Sequence, residues 1–180
     1  MNKKTNCRHA SLKRLTTLCA WLVLASILGA TAHARSVNYQ SLTANVNGVR
    51  IHYLKAGAGM RPLVLIHGFG DTSHMWALLF DEFGKEFTII APDMRGLGDS
   101  SRPATGYDKK TLAVDIHELV KSLGYHKIYL VGHDIGLMVA YAYAAQFPNE
   151  VERLALLEAP IPGVGDVWEK VYTTPVASIE

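Results

Sequence analysis

The five residues Gly132-His133-Asp134-Ile135-Gly136 constrain the fold of this chain more than any other segment. A strand-like run at residues 127–131 precedes them, and an apolar, helix-like run at residues 137–145 follows them. The flanking glycines predict a sharp strand-to-helix turn, because only small residues fit where the two elements meet so closely. The segment therefore has the form of a nucleophile elbow, with Asp134 at its tip.

An aspartate at the tip of such a turn implies a particular chemistry. A carboxylate held there attacks a carbon atom rather than a carbonyl group, which gives an alkyl ester on Asp134. Water must then hydrolyse that ester to release the product. The pentapeptide is a weak signal by itself, and the strand and helix that flank it strengthen the interpretation.

Predicted strands and helices alternate along the chain. A hairpin is predicted at residues 44–54, because Asn47-Gly48 is a strong hairpin-turn signal. Buried strands are predicted at residues 62–66, 87–91 and 127–131, and a last strand at residues 151–157. Helices are predicted from Ser73 or His74 to about Gly84, at residues 112–123 and at residues 137–145. This alternation indicates an α/β protein with a doubly wound, mostly parallel sheet.

The first 34 residues are typical of an export signal. Basic residues precede an apolar core at 15–28, and Ala32-His33-Ala34 matches an A-x-A cleavage site. A mature chain that begins at Arg35 is therefore expected to be periplasmic or secreted, with residues 35–43 as a linker. A retained membrane anchor is the alternative, but the apolar stretch is short. After cleavage, no membrane association is expected.

Removal of the signal changes the charge and cysteine content of the protein. The whole chain has 18 basic and 16 acidic residues, and five of the basic ones lie in residues 1–34, so the mature part carries a net charge of −3. No basic patch indicates a nucleic-acid partner. Both cysteines, Cys7 and Cys19, also lie in the signal, so the exported protein forms no disulfide.

The segment His67-Gly68-Phe69-Gly70 follows a predicted buried strand, where an oxyanion-hole loop would lie. Such a hole needs backbone N–H groups aimed at the oxygen that gains charge, and Phe69 and Ile135 are the expected donors. A simple glycine turn after a strand is the alternative interpretation.

These segments together resemble α/β-hydrolase-fold enzymes of the epoxide hydrolase and dehalogenase group, over residues 44–165. Two further stretches match that group: residues 93–100, Asp-Met-Arg-Gly-Leu-Gly-Asp-Ser, and residues 158–162, Glu-Ala-Pro-Ile-Pro. The resemblance implies that Asp134 is the nucleophile and that Glu158 orients a catalytic histidine. A solvated loop acid is the alternative for Glu158. His67, Trp76 and His133 are candidate pocket residues, with structural packing as the alternative for Trp76 and His133.

The resemblance also separates the subclasses. Haloalkane dehalogenases usually carry tryptophan directly after the nucleophile, and haloacetate dehalogenases carry arginines there and three residues later. This chain has Ile135 and Met138 at those positions. The segments most resemble secreted bacterial epoxide hydrolases, so a small apolar epoxide and water are the expected substrates. A haloorganic substrate is the alternative. No cofactor is expected, and the histidine spacing matches no metal motif.

Two expected parts of such an enzyme are missing from the sequence. The chain order of this fold is nucleophile, acid, histidine, and no histidine follows His133. The cap domain and the C-terminal strands would also lie beyond Glu180, with residues 166–180 as the start of the cap region. The chain is therefore interpreted as a fragment or a shortened, inactive paralogue. A non-catalytic module that binds apolar small molecules is the second functional hypothesis; the oligomeric state is not predicted.

Overall fold

The computed structural model describes residues 38–161 and 163–166. It divides the chain into two units, residues 1–36 and residues 37–180. The predicted signal peptide at residues 1–34 and most of the predicted cap region at 166–180 lie outside the described residues.

A six-stranded sheet forms the centre of the second unit. Its strands have the spatial order β1-β2-β4-β3-β5-β6. β1 pairs antiparallel with β2, and β2 pairs antiparallel with β4, whereas β4, β3, β5 and β6 run parallel. The strands are β1 (Tyr39–Val46), β2 (Val49–Ala56), β3 (Arg61–Ile66), β4 (Phe87–Pro92), β5 (Ile128–His133) and β6 (Val151–Leu157). The sheet confirms the predicted α/β-hydrolase architecture.

Helices connect the parallel strands. A 3₁₀ helix (Ser73–Leu79) and a short helix α1 (Phe80–Phe83) join β3 to β4, and helices α2 (Lys109–Ser122) and α3 (Ile135–Gln146) flank β5. A second 3₁₀ helix (Pro148–Glu150) leads into β6. None of the helices in the described ranges is long and apolar enough to span a membrane.

Apolar side chains cover both faces of the sheet at its centre, as the continuously apolar runs of β3 and β4 predict, whereas most residues of β6 are exposed. One buried cluster joins the sheet to α2 and α3 and includes Ile66, Ile116 and Val139. A second cluster on the 3₁₀/α1 side includes Leu65, Trp76 and Phe80. The two clusters fix β3 and β5 between two layers of helix, so the loops that follow these strands start from a rigid base.

Two details differ from the sequence-based predictions. Residues 39–43 of the predicted linker belong to β1, because each of them pairs with β2 across the hairpin. The single helix predicted from Ser73 to Gly84 is a 3₁₀ helix followed by one turn of α-helix. The N–H of Phe80 bonds to the carbonyl of Ala77, three residues back, which is the tighter 3₁₀ spacing.

Candidate active site

Asp134 lies at the turn between β5 and α3 with φ of 51° and ψ of −123°. Few non-glycine residues adopt a positive φ, so the surrounding contacts must hold this strained conformation. The N–H of Asp134 donates a 3.0 Å hydrogen bond to the carbonyl of Leu157, and its own carbonyl accepts one from Leu137. The aspartate side chain is thereby presented at the carboxyl end of the parallel strands, where sites form in α/β sheets.

The two glycines of the elbow are required by close backbone contacts. A Cβ atom on Gly132 would lie 2.3 Å from the carbonyl oxygen of Gly136. One on Gly136 would lie 2.4 Å from the carbonyl oxygen of His67. Both distances are far below van der Waals contact with atoms that cannot rotate away. The sequence pattern therefore reflects the packing of α3 against β5 and β3.

The loop after β3 contacts the carboxylate of Asp134 directly. The backbone N–H of Phe69 donates a 2.8 Å hydrogen bond to Oδ2 of Asp134. Ile135 is the first residue of α3, so its N–H has no acceptor within the helix and lies at the positive end of the helix dipole. The structure thus brings the Phe69 N–H to Asp134 as the sequence predicts, and it places Ile135 at the adjacent start of α3.

Glu158 forms a hydrogen bond with His133 that the sequence did not predict. Its Oε2 lies 2.8 Å from Nε2 of His133, the residue directly before the elbow aspartate. β5 and β6 are parallel neighbours, and His133 is in register with Leu157, so the residues at their carboxyl ends meet. The Glu158 side chain is 77% exposed, whereas that of His133 is 24% exposed. In the sequence, His133 and Glu158 each lie at the end of a predicted strand, and pairing of those two strands is what would have indicated the contact.

His133 is held from a second direction by Trp76. The two rings meet edge to face, with centroids 6.4 Å apart. Within the described ranges, Nδ1 of His133 is buried and has no hydrogen-bond partner. A Cβ atom on Gly68 would lie 2.9 Å from this nitrogen, so the oxyanion loop packs closely against the imidazole.

His67 has a structural position rather than the predicted pocket position. It is fully buried, its Nδ1–H donates to the carbonyl of Gly68 at 2.8 Å, and its Nε2 accepts from the N–H of Met94 at 3.0 Å. Burial lowers the pKa of His67, although its hydrogen bond to the Gly68 carbonyl opposes that shift. Both ring nitrogens are thus occupied by backbone groups, and the bond to Nε2 joins the loop after β3 to Met94 after β4.

A largely apolar cavity of about 270 Å³ adjoins the elbow. Phe69 and Ile135 line it together with side chains from the loop after β4 and from the start of α2. The predicted pocket residues His67, Trp76 and His133 are not part of its lining, because Trp76 is only 6% exposed within the second core cluster and His133 faces Glu158. The cavity includes Met94, Leu97, Tyr107 and Leu112.

The wall of this cavity is fixed by a buried ion pair. Nε and Nη2 of Arg95 each lie 2.5 Å from a carboxylate oxygen of Asp115 on α2. The side-chain hydrogen bonds with Asp115 raise the pKa of Arg95, against the opposing effect of burial. Asn47 donates a further hydrogen bond to Asp115 at 2.7 Å. A bidentate pair of this kind holds the loop in one geometry.

One group of residues in the described ranges has the composition of a possible cation site. Polar atoms of His52, Asp93 and Asp99 lie within 4.8 Å of one another. However, Nδ1 of His52 is already hydrogen-bonded to Asp93, and Asp93 accepts two backbone N–H groups. These hydrogen bonds account for the buried charge of Asp93 without a cation.

Comparison with known proteins agrees with this fold. A family profile described as "alpha/beta hydrolase fold" matches residues 61–177. The soluble epoxide hydrolase of Corynebacterium sp. (strain C12) is 48% identical over 134 residues, which cover 74% of this chain and 46% of that protein. The fluoroacetate dehalogenase of Burkholderia sp. is 34% identical over 125 residues, which cover 67% of this chain and 41% of that protein.

Two solved structures are similar to this chain. The epoxide hydrolase CorEH without ligand has a TM-score of 0.64 at 46% identity, over 65% of this chain and 41% of that one. Cfl2 wild-type from Burkholderia cenocepacia has a TM-score of 0.69 at 39% identity, over 73% of this chain and 45% of that one. The chain spans less than half the length of these relatives.

Proposed function

This chain belongs to the α/β-hydrolase fold family, and from that premise we propose that its protein hydrolyses an epoxide to a diol through a covalent ester on Asp134. The observation that carries the proposal is the 2.8 Å hydrogen bond from the Phe69 N–H to Oδ2 of Asp134. It gives the two carboxylate oxygens different roles before any substrate binds. Similarity to epoxide hydrolases at up to 48% identity supports the choice of reaction.

In the first step, Oδ1 of Asp134 attacks an epoxide carbon. The bond between that carbon and the epoxide oxygen breaks, and the oxygen takes up a proton from solvent water to become a hydroxyl group. Oδ2 remains in its hydrogen bond and becomes the carbonyl oxygen of the ester. The Phe69 N–H thus fixes which oxygen is alkylated, since a carboxylate oxygen already engaged with a donor is the weaker nucleophile.

In the second step, water attacks Cγ of Asp134, and negative charge develops on Oδ2. The N–H groups of Phe69 and Ile135 stabilise that charge in the position where the resting carboxylate oxygen already lies. The bond between Cγ and Oδ1 then breaks, so the diol leaves with Oδ1. A base must remove the proton of the attacking water, and we propose that Glu158 orients the histidine that does so.

The 180-residue chain has no histidine after His133. For this polypeptide, the proposed mechanism therefore allows ester formation and makes ester hydrolysis slow. The expected product is a stable alkylated protein rather than a diol. Its formation distinguishes a reactive site from a module that only binds small apolar molecules.

Carbon–halogen cleavage is the second candidate function. The 34% identity to a fluoroacetate dehalogenase favours it, and the same aspartate chemistry would serve. Ile135 and Met138 argue against it, because neither side chain can hold a halide or a substrate carboxylate by hydrogen bonding. Epoxide hydrolysis therefore remains the function that these residues support best.

Intact-mass measurement of the chain after incubation with a small apolar epoxide tests the proposal. We expect one adduct on the peptide that contains Asp134, its loss in Asp134→Ala, and its retention in Glu152→Ala, which removes an exposed carboxylate on β6. An adduct of equal yield in Asp134→Ala would contradict the nucleophile assignment. Binding of the epoxide without any adduct would favour the binding-module hypothesis.

A further inference from the structure

Three hydrogen-bonded side chains lie on the β1–β2 hairpin and the end of β4, apart from the Asp134 elbow. Oγ of Ser41 lies 2.8 Å from Nε2 of His52. Nδ1 of the same imidazole lies 2.7 Å from Oδ2 of Asp93. The order hydroxyl, imidazole, carboxylate is the connectivity of a charge-relay triad, and it contains none of the residues assigned to the epoxide site.

Asp93 provides the fixed negative charge of this arrangement. Burial raises the pKa of its carboxyl group, but backbone hydrogen bonds from Ser73 and Asp99, and the side-chain hydrogen bond with His52, outweigh that effect and lower the pKa overall. The Ser73 N–H lies 2.6 Å from Oδ1, and the Asp99 N–H lies 2.9 Å from Oδ2. The group is therefore an ionised acceptor that is only 1% exposed.

The charge of Asp93 determines the tautomer of His52. An ionised carboxylate can only accept hydrogen bonds, so Nδ1 of His52 must carry the proton that faces it. In the neutral ring, Nε2 is then an acceptor, and the hydroxyl of Ser41 donates to it. His52 is 3% exposed, so its ring is held in place by packing as well as by its two hydrogen bonds.

Ser41 differs from its two partners because it is exposed. β1 is the edge strand of the sheet, and Thr43 pairs with His52, so Ser41 lies two residues away on the same face of the hairpin. An edge strand has backbone N–H groups that point away from its single neighbour and are available to an incoming oxygen. A small electrophile can therefore approach the hydroxyl from solvent.

We propose that Ser41 is a second nucleophile, which accepts an acyl group from small activated esters. Oγ attacks the ester carbonyl carbon while its proton passes to Nε2 of His52. The bond between that carbon and the leaving oxygen then breaks. The leaving aryloxide or alkoxide takes up the proton held on Nε2 of His52. The product is an acyl ester on Ser41, which water hydrolyses in a later step.

Acetylation by p-nitrophenyl acetate tests this proposal on the 180-residue chain. We expect a burst of one equivalent of nitrophenolate and one acetyl group on the peptide that contains Ser41. Activation by a positioned base accelerates such a step by about 10²–10⁴-fold, so Ser41 should react at least about 100-fold faster than an unassisted hydroxyl. The burst should persist in Asp134→Ala, which separates this activity from the epoxide site.

Three variants decide between catalysis and a purely structural network. Ser41→Ala should abolish the burst, whereas Thr43→Ala, which removes a neighbouring exposed hydroxyl on β1, should retain it. His52→Gln should reduce acetylation of Ser41 to the background rate, with circular dichroism as the check that the hairpin remains folded. Acetylation of Ser41 at the same rate as Thr43, or an unchanged Ser41 rate in folded His52→Gln, would overturn the proposal.

Discussion

Oε2 of Glu158 lies 2.8 Å from Nε2 of His133, so the residue after β6 is tied to the residue before the elbow aspartate. The contact is made where two neighbouring parallel strands end. The carboxylate of Glu158 therefore lies beside the elbow, and its hydrogen bond goes to His133 and not to Asp134. The imidazole in this contact is that of His133, whereas the role proposed for Glu158 is to orient the histidine that activates water.

Replacement of Glu158 by Gln should separate the two chemical steps. Asp134 should still be alkylated, because its hydrogen bond from the Phe69 N–H is retained, but hydrolysis should slow as the histidine that activates water loses its carboxylate partner. Single-turnover mass spectrometry of a form of the protein that carries the histidine expected after Glu158 would follow the ester. Equal slowing of both steps would show instead that Glu158 supports the elbow as a whole.

Replacement of Phe69 by Pro should remove an oxyanion donor, because proline has no backbone N–H. Loss of one such donor costs about 10²–10³-fold in rate, so the ester on Asp134 should be hydrolysed correspondingly more slowly. Phe69→Ala keeps the N–H and removes the exposed ring, which lines the cavity, so it is the matched control for loss of the side chain. Equal rates of ester hydrolysis in the two variants, both folded, would count against a role for this N–H.

The lowered pKa of His67 predicts how stability depends on pH. The ring stays neutral in the folded protein, whereas in the unfolded chain it takes up a proton below its ordinary pKa of 6.5. The free energy of unfolding should therefore fall as the pH drops below 6.5, until the folded-state pKa is reached. This one group contributes a slope of at most about 1.4 kcal/mol per pH unit.

Denaturant unfolding at several pH values measures this slope. The slope should be smaller in His67→Gln than in the unsubstituted protein, whatever the absolute stability of the variant. His126→Gln changes an exposed histidine and should leave the slope as it was. The prediction fails if both variants have the slope of the unsubstituted protein.

Export should leave a mature N-terminus at Arg35. The reason is the A-x-A site at residues 32–34 after the apolar core. Intact-mass measurement of the protein from periplasmic and extracellular fractions would identify the terminus, and Ala34→Glu should block cleavage. Protein that retains residues 1–34 in a cytosolic pool would refute this prediction.

Local sequence patterns predicted β5 and α3, the strand and helix on either side of Asp134. Runs of apolar residues indicate buried elements, and glycines indicate tight turns. Asn47-Gly48 fixed the hairpin, and Gly132 and Gly136 fixed the elbow. The partners of His52 and His133 were not predictable in the same way. Each depends on strand register between residues far apart in sequence, Thr43 with His52 and Leu157 with His133. The buried state of His67 was missed for the same reason, since its partner Met94 follows a different strand.

A covalent ester on Asp134 predicts a distinct isotope pattern in one turnover of a hydrolysis-competent form in heavy-oxygen water, with enzyme in excess. Water attacks Cγ in the proposed mechanism, so the first diol should carry an unlabelled oxygen from Asp134, and the label should appear in the peptide that contains this aspartate. Label in the first diol, with none in Asp134, would mean that water attacks the epoxide directly and that no ester forms on Asp134.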